Sequence, residues 1–213
     1  MDWVDEFLKD VPNGLLGNLT TAVKDAYFQS NVIVESQGLG TPERKNLIPW
    51  QRRAQVEHRV KSAALRFGEP VVVTTENTGY SNHVVLKVGR FRITQSTVAS
   101  ESASLHPAVY KQRYASEQTQ LLMEFAKKDL QKSNEEGKYF YLVLLHHAAF
   151  NEDQPEFISI KFPQADLSCF HAGSVDLLAM FGNEKSSAAT PVEEIVDETV
   201  PKLKPLNKVE GIG

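Results

Sequence analysis

The sequence predicts an α+β fold, in which a single domain contains a mixed or antiparallel sheet with helices packed on one of its faces. Two observations carry this prediction. Helix-like and strand-like patterns occur in separate blocks along the chain, and the central block has the pattern of neighbouring hairpin strands. The chain has 213 residues, of which 41% are hydrophobic and 23% charged, a composition typical of a globular protein with one sizeable core.

The N-terminal third is predicted to be mainly helical. Residues 2–11 and 15–28 carry apolar side chains at helical spacing, whereas residues 31–36 have the composition of a short strand. The clearest helix spans residues 50–67, because a proline stands just before it and a glycine follows in a C-capping position.

The centre of the chain is predicted to form strands. Residues 71–75 are β-branched, and two further strands surround Gly89 as a hairpin. Because side chains alternate along a strand, Arg90 and Arg92 point away from the face that carries Phe91. The hairpin is therefore expected to have one face in the core and one wet, basic face.

The last third combines helices and strands. We expect a helix over residues 107–132, a fully buried central strand within 138–150, a returning strand over 157–162 and a short helix over 173–181. The order of these elements supports the α+β prediction.

The folded domain is expected to comprise residues 1–182. Residues 183–213 contain three prolines and no aromatic residue, with Glu and Lys scattered between them. Such a composition buries little apolar surface, so it predicts a flexible acidic tail.

Basic residues are concentrated in the middle of the chain. The formal net charge is −4, but residues 39–113 carry twelve basic and five acidic side chains. All eight arginines lie between Arg44 and Arg113. Because guanidinium groups bind phosphate or carboxylate through two parallel hydrogen bonds, this segment predicts an anion-recognising surface.

Three arginines of the predicted 50–67 helix are spaced by seven residues, which aligns them along about 21 Å of helix. An aromatic residue in a predicted turn adds a ring on which a base could stack. The predicted anion-binding residues are Arg52, Arg59, Arg66, Arg90, Arg92 and Tyr80. This pattern favours an intracellular binding or regulatory protein whose partner is nucleic acid or an acidic protein.

Two alternative functions remain open. A nuclease or phosphodiesterase without a metal needs a histidine as general base and arginines that stabilise the pentavalent phosphate. Its candidate catalytic residues are His83, Arg90, Arg92 and His146. The other alternative is a structural subunit of a larger assembly, which docks through the amphipathic N-terminal helix with Trp3 and Phe7.

The order of helix, three strands, helix and strand is similar to the core of the PD-(D/E)xK nucleases, with Glu57 matching the helical acid. The hairpin strands carry neither an Asp nor a Glu-x-Lys motif, so two metal ligands of that family have no counterpart. The resemblance therefore implies no metal-dependent nuclease activity.

Missing motifs exclude several other function classes. The chain contains no Walker loop, dinucleotide fingerprint, Gly-x-Ser-x-Gly elbow or His-Glu-x-x-His helix, so no cofactor is expected. Cys169 is the only cysteine, and neither a disulfide nor a metal site is expected. No apolar run reaches the 18–20 residues or so that cross a bilayer, and no signal peptide is visible, which predicts a cytoplasmic protein without membrane contact.

Overall fold

The structure is a computed structural model that describes residues 3–77, 82–126, 139–150 and 152–182. Its helices are α1 (Trp3–Asp10), α2 (Asn13–Ser36), α3 (Thr41–Phe67), α4 (Val109–Ala126) and α5 (Leu177–Phe181). Its strands are β1 (Val71–Asn77), β2 (Asn82–Val88), β3 (Phe91–Thr97), β4 (Phe140–His147), β5 (Phe157–Lys161) and β6 (Val175–Asp176). The predicted tail over residues 183–213 lies outside the described residues.

The six strands form one open sheet in which spatial order follows chain order from β1 to β6. All neighbouring pairs are antiparallel except β3 and β4, which run parallel, with Phe91 opposite Phe140 and Thr97 opposite His146. A parallel pair requires a crossover connection, and α4 lies in that connection. The mixed sheet and the α+β class are thus confirmed.

The larger core lies between the sheet and helices α1, α2, α3 and α5. Apolar side chains of the helices, such as Leu19 and Val60, are buried there against strand residues such as Ile93 and Leu144. These side chains alternate with residues that point to the opposite face, as the strand geometry requires.

The opposite face of the sheet is covered by α4, which differs from the prediction that helices occupy one face. Tyr114 and Ala115 of α4 pack with Val85, Tyr141 and Val143 in a second core. The reason is that β4 is apolar on both sides, so both of its faces must be removed from water. The hairpin face that carries Arg92 is consequently buried rather than wet.

Two segments of the N-terminal third differ from the prediction. Residues 31–36 continue α2, because Val34 is fully buried in that helix and tertiary packing overrides the strand propensity of a β-branched run. The third helix begins at Thr41 rather than at residue 50, and Pro49 lies inside it.

The apolar face of α1 is used inside the fold. The Phe7 ring is fully buried and meets the Phe91 ring edge-on, with 5.2 Å between the ring centroids. Trp3 packs beside it and donates its indole N–H to the Ala172 carbonyl at 2.7 Å. Within the described residues, no helix is long and apolar enough to cross a membrane.

The burial of Phe7 predicts that α1 stabilises the domain. Replacement of Phe7 by Ala should lower the free energy of unfolding by about 3–5 kcal/mol, because it leaves a cavity beneath the hairpin. Asp5→Ala on the exposed side of the same helix serves as the control and should change it by less than about 0.5 kcal/mol. Urea denaturation measures the free energy of unfolding of both variants. If Phe7→Ala lowered it no more than Asp5→Ala is expected to, the Phe7 ring would contribute little to the core.

Candidate functional site: the polar cluster between α3 and α4

Polar and charged side chains meet where α3 and the first turn of α4 approach the ends of β2 and β3. Four elements contribute them, and two of the ionisable side chains, those of His83 and Lys111, are buried. We refer to these residues as the polar cluster, which comprises Arg53, Glu57, His83, Gln95, Ser96, Tyr110, Lys111 and Arg113.

Glu57 is held on the sheet side of α3 by two hydrogen bonds. Its Oε2 atom accepts from the Val84 backbone N–H at 2.8 Å, and its Oε1 atom accepts from the Gln95 amide at 2.7 Å. Burial raises the pKa of the Glu57 carboxyl, while these hydrogen bonds and the charges of Arg53 and Lys111 act in the opposite direction. The carboxyl is therefore an anchored acid with a raised pKa beside two cations.

A buried hydrogen-bond chain leads from Glu57 to α2. The Gln95 Oε1 atom lies 2.8 Å from His146 Nε2, and His146 Nδ1 lies 2.8 Å from the Tyr27 hydroxyl. His146 is fully buried, which lowers its pKa to about 3 and keeps the ring neutral.

The hydrogen bonds of this buried chain all have the same donor-to-acceptor direction. Because the Gln95 amide N–H₂ donates to Glu57, its oxygen must accept, and His146 carries its proton on Nε2. The Nδ1 atom then accepts from the Tyr27 hydroxyl. Every donor therefore points toward Glu57, and the neutral tautomer of His146 is fixed by its neighbours.

Lys111 approaches the cluster from α4. Its Nζ atom donates to the Ser96 hydroxyl at 2.8 Å and to the His106 carbonyl at 3.5 Å. Burial, reinforced by the charge of Arg53, lowers the pKa of Lys111 to about 8. The ammonium thus remains largely charged at neutral pH but is unusually easy to deprotonate.

His83 is the least satisfied member of the polar cluster. Its side chain is 1% exposed and stacks on the Tyr110 ring, with 3.7 Å between the ring centroids. Among the described residues, which leave out positions 78–81 just before it, neither ring nitrogen has a hydrogen-bond partner. Burial lowers its pKa, the Glu76 carboxylate raises it, and the charges of three nearby cations lower it further: Arg113, Arg53 and Lys111.

An unmet buried polar group costs about 1–3 kcal/mol, so two unmet nitrogens in one ring require a functional or structural reason. Surrounding cations and spare hydrogen-bonding capacity suit an anionic ligand better than a cation. Among the described residues, no group of three or more His, Cys, Asp and Glu side chains is placed to hold a metal ion.

Arg52, a predicted surface residue, is instead buried and fastens α3 to the end of β4. Its side chain is 7% exposed, and its Nη1 atom donates to the carbonyls of Ala148 at 3.1 Å and Ala149 at 3.0 Å. The Nη2 atom donates to the carbonyls of Phe150 and Glu152. The guanidinium is therefore committed to the fold.

The other two arginines of the predicted helical row lie in different surroundings. Arg59 is half-buried and lies 3.9 Å from the Asp25 carboxylate on α2, whereas Arg66 is exposed near the end of α3. The three arginines thus do not form one exposed row, because their stripe faces α2 over most of its length.

The hairpin arginines also join elements of the fold. Arg90 pairs with Glu6 at 2.8 Å and with Asp10 at 2.7 Å on α1. Arg92 is buried, pairs with Glu117 at 2.9 Å and lies 4.1 Å from the centre of the Tyr114 ring.

The predicted catalytic set is not assembled in one place. His83 and Arg92 share the face covered by α4, but His146 points to the other face of the sheet, toward Tyr27. Arg90 points to α1. Tyr80 lies outside the described residues.

Comparison with protein-family models, with curated proteins and with solved structures gives no match. Only the geometry of the candidate site therefore indicates what it could bind.

Sequence reasoning missed Arg53, Gln95 and Lys111. Arg53 follows Arg52 directly in the sequence. Its side chain lies about 100° around α3 from the stripe formed by Arg52, Arg59 and Arg66, so the seven-residue spacing does not include it. Gln95 and Lys111 carry no motif, and only the fold brings them to Glu57 and Ser96.

The hydrogen-bond chain predicts a pH dependence of stability. An unfolded histidine titrates near 6.5, whereas folded His146 titrates at about 3, so the unfolded state binds more protons between these values. The free energy of unfolding should therefore fall as the pH decreases through this window, with a contribution approaching about 1.4 kcal/mol per pH unit.

Urea denaturation of wild type and His146→Gln at pH 7 and pH 5 measures this contribution, and the variant should show a shallower decrease. His58→Gln, at an exposed position of α3, should retain the wild-type decrease. An unchanged decrease in His146→Gln would rule out a neutral, buried His146.

Proposed function

We propose that the protein binds nucleic acid through backbone phosphates at the polar cluster. The observation that carries the proposal is the buried His83 ring, which lies beside the charges of Arg53, Lys111 and Arg113 and whose two nitrogens meet no hydrogen-bond partner in the part of the chain that the structure describes. A phosphate oxygen would accept a hydrogen bond from the one N–H of the neutral ring and would bring negative charge to a place where three cations outnumber the nearby Glu76 carboxylate.

Two of these cations are accessible to a large ligand. Arg53 on α3 and Arg113 on α4 are exposed, and both lie close enough to His83 for their charges to lower its pKa. Arg113 is 2.8 Å from the Glu76 carboxylate, so a phosphate must compete with this acid. Lys111 is buried, so it acts through its charge and orders Ser96 rather than reaching outward.

The first turn of α4 supports the same proposal. The initial N–H groups of a helix have no intrahelical acceptors, and the positive end of the helix dipole attracts anions. Tyr110 and Lys111 lie in this turn, and Val109 at its start is 80% exposed. An anion at this position would meet backbone donors and side-chain cations together.

The geometry gives less support to the alternatives. A metal-independent phosphodiesterase that uses both His83 and His146 requires them on one face, and they point to opposite faces of the sheet. A structural subunit that docks through α1 requires a free apolar face, and Phe7 is buried within this chain. An acidic protein partner remains an outcome that the following experiment distinguishes.

Removal of both exposed cations should weaken binding. The double variant Arg53→Ala and Arg113→Ala should bind a 20-nucleotide DNA less tightly, and the slope of log K against log salt should decrease by about one per cation. Fluorescence anisotropy at several salt concentrations measures both quantities.

The matched control is Lys9→Ala with Arg66→Ala, which removes the same charge from exposed positions on α1 and the distal end of α3. It should leave affinity near the wild-type value. Equal losses in both double variants would indicate attraction by net charge alone. Failure of the wild type to bind DNA or RNA, with binding to polyglutamate, would replace the proposal with an acidic protein partner.

His83→Phe separates binding from folding. Phenylalanine preserves the stacked ring against Tyr110 but removes two unmet nitrogens, so the free energy of unfolding should stay equal or increase. Affinity for the 20-nucleotide DNA should fall. Retained affinity, together with increased stability, would mean that His83 only fills space.

A further inference from the structure

The largest exposed aromatic surface on α3 belongs to Trp50. Its side chain is 70% exposed, although tryptophan is highly buried on average. The chain's other tryptophan, Trp3, is partly buried and has its indole N–H bonded to Ala172. Most of the apolar surface of the Trp50 indole therefore remains in contact with water, which is energetically unfavourable.

Trp50 lies near the two α3 members of the polar cluster, of which Arg53 is exposed. Positions three and seven residues apart share a helix face, so Arg53 lies about 60° and Glu57 about 20° around the helix from Trp50. Along the axis these residues are about 4.5 and 10.5 Å away. An exposed flat ring therefore stands next to an exposed guanidinium, at the edge of the proposed phosphate site.

We infer that Trp50 is a stacking platform and that the nucleic acid recognised at this face is single-stranded. This inference rests on the proposed function and specifies its ligand class. In a duplex the base faces are covered by their neighbours, whereas in a single strand each base can stack on an aromatic ring while its phosphate contacts a nearby cation. Arg53 supplies that cation one turn from Trp50.

The exposed residues around Trp50 fit a single-stranded nucleic acid better than an apolar partner. A purely hydrophobic partner would be flanked by the exposed Arg53 and His58, whose polar groups it would desolvate without compensation. A single strand presents apolar base faces and charged phosphates in turn, which matches an indole followed by a guanidinium.

The test uses the full chain, a 20-nucleotide oligothymidylate and a duplex of the same length. Binding of the single strand should quench tryptophan emission, and Trp50→Leu should abolish most of that quenching. Since stacking contributes about 1–3 kcal/mol per base, Trp50→Leu should weaken oligothymidylate binding by about 5- to 150-fold. Duplex affinity should change by less than about twofold. Leu65→Ala, at an apolar position of α3 that is 50% exposed, is the control and should leave both affinities unchanged.

The outcomes separate this inference from the proposed function. If the wild type binds neither these DNAs nor single-stranded and duplex RNA of the same length, the proposed function itself fails. If it binds with a salt dependence that requires Arg53 and Arg113, but Trp50→Leu retains wild-type affinity for oligothymidylate, only the stacking inference fails. Equal weakening of single-stranded and duplex binding would also overturn it. A change of oligomeric state in Trp50→Leu without loss of affinity would assign the indole to a contact between copies of the chain.

Discussion

The hydrogen-bond chain through His146 fixes the relative positions of four structural elements. It begins at Tyr27 on α2, passes through His146 on β4 and Gln95 on β3, and ends at Glu57 on α3. Glu57 then bonds the backbone of β2. Because Tyr27, His146 and Gln95 are buried, loss of any member of the chain leaves a buried polar group without one of its partners. The orientation of α3, and with it the directions of Trp50 and Arg53, depends on this chain.

The arginine-rich centre of the chain serves two purposes. Arg52 ties α3 to the end of β4, Arg90 ties the hairpin to α1, and Arg92 ties β3 to α4. In each case the fork of guanidinium donors reaches partners that a lysine would satisfy less completely. Arg53 and Arg113 differ from these three in being exposed, although Arg113 also pairs with Glu76.

The sequence was sufficient to predict the elements whose patterns are local. The hairpin around Gly89, the buried strand β4 and the α+β class all follow from periodicity and turn residues. The strand predicted at residues 31–36 failed because a β-branched run was judged by propensity alone, while packing of Val34 decides the outcome. The burial of Arg52 and Arg92 could not be predicted either. A long side chain can reach a carbonyl or a carboxylate that is distant in sequence, and both arginines do so. For the same reason the polar cluster, which joins residues from four elements, has no signature in any one segment.

The coverage of the sheet on both faces has a dynamic consequence. Strands β3 and β4 lie at its centre and are buried almost throughout. The edge strand β1 has three exposed residues and none that is buried, and β6 has only two residues. Backbone amides of the central strands should open to solvent only on global unfolding, while those at the edges exchange through local fluctuations. The polar cluster includes residues at the end of β3, a central strand whose amides should exchange slowly, and residues on two helices. Its side chains are therefore attached to a part of the fold that is expected to be rigid. In the proposed complex, these side chains would need little further ordering, which would lower the entropic cost of binding.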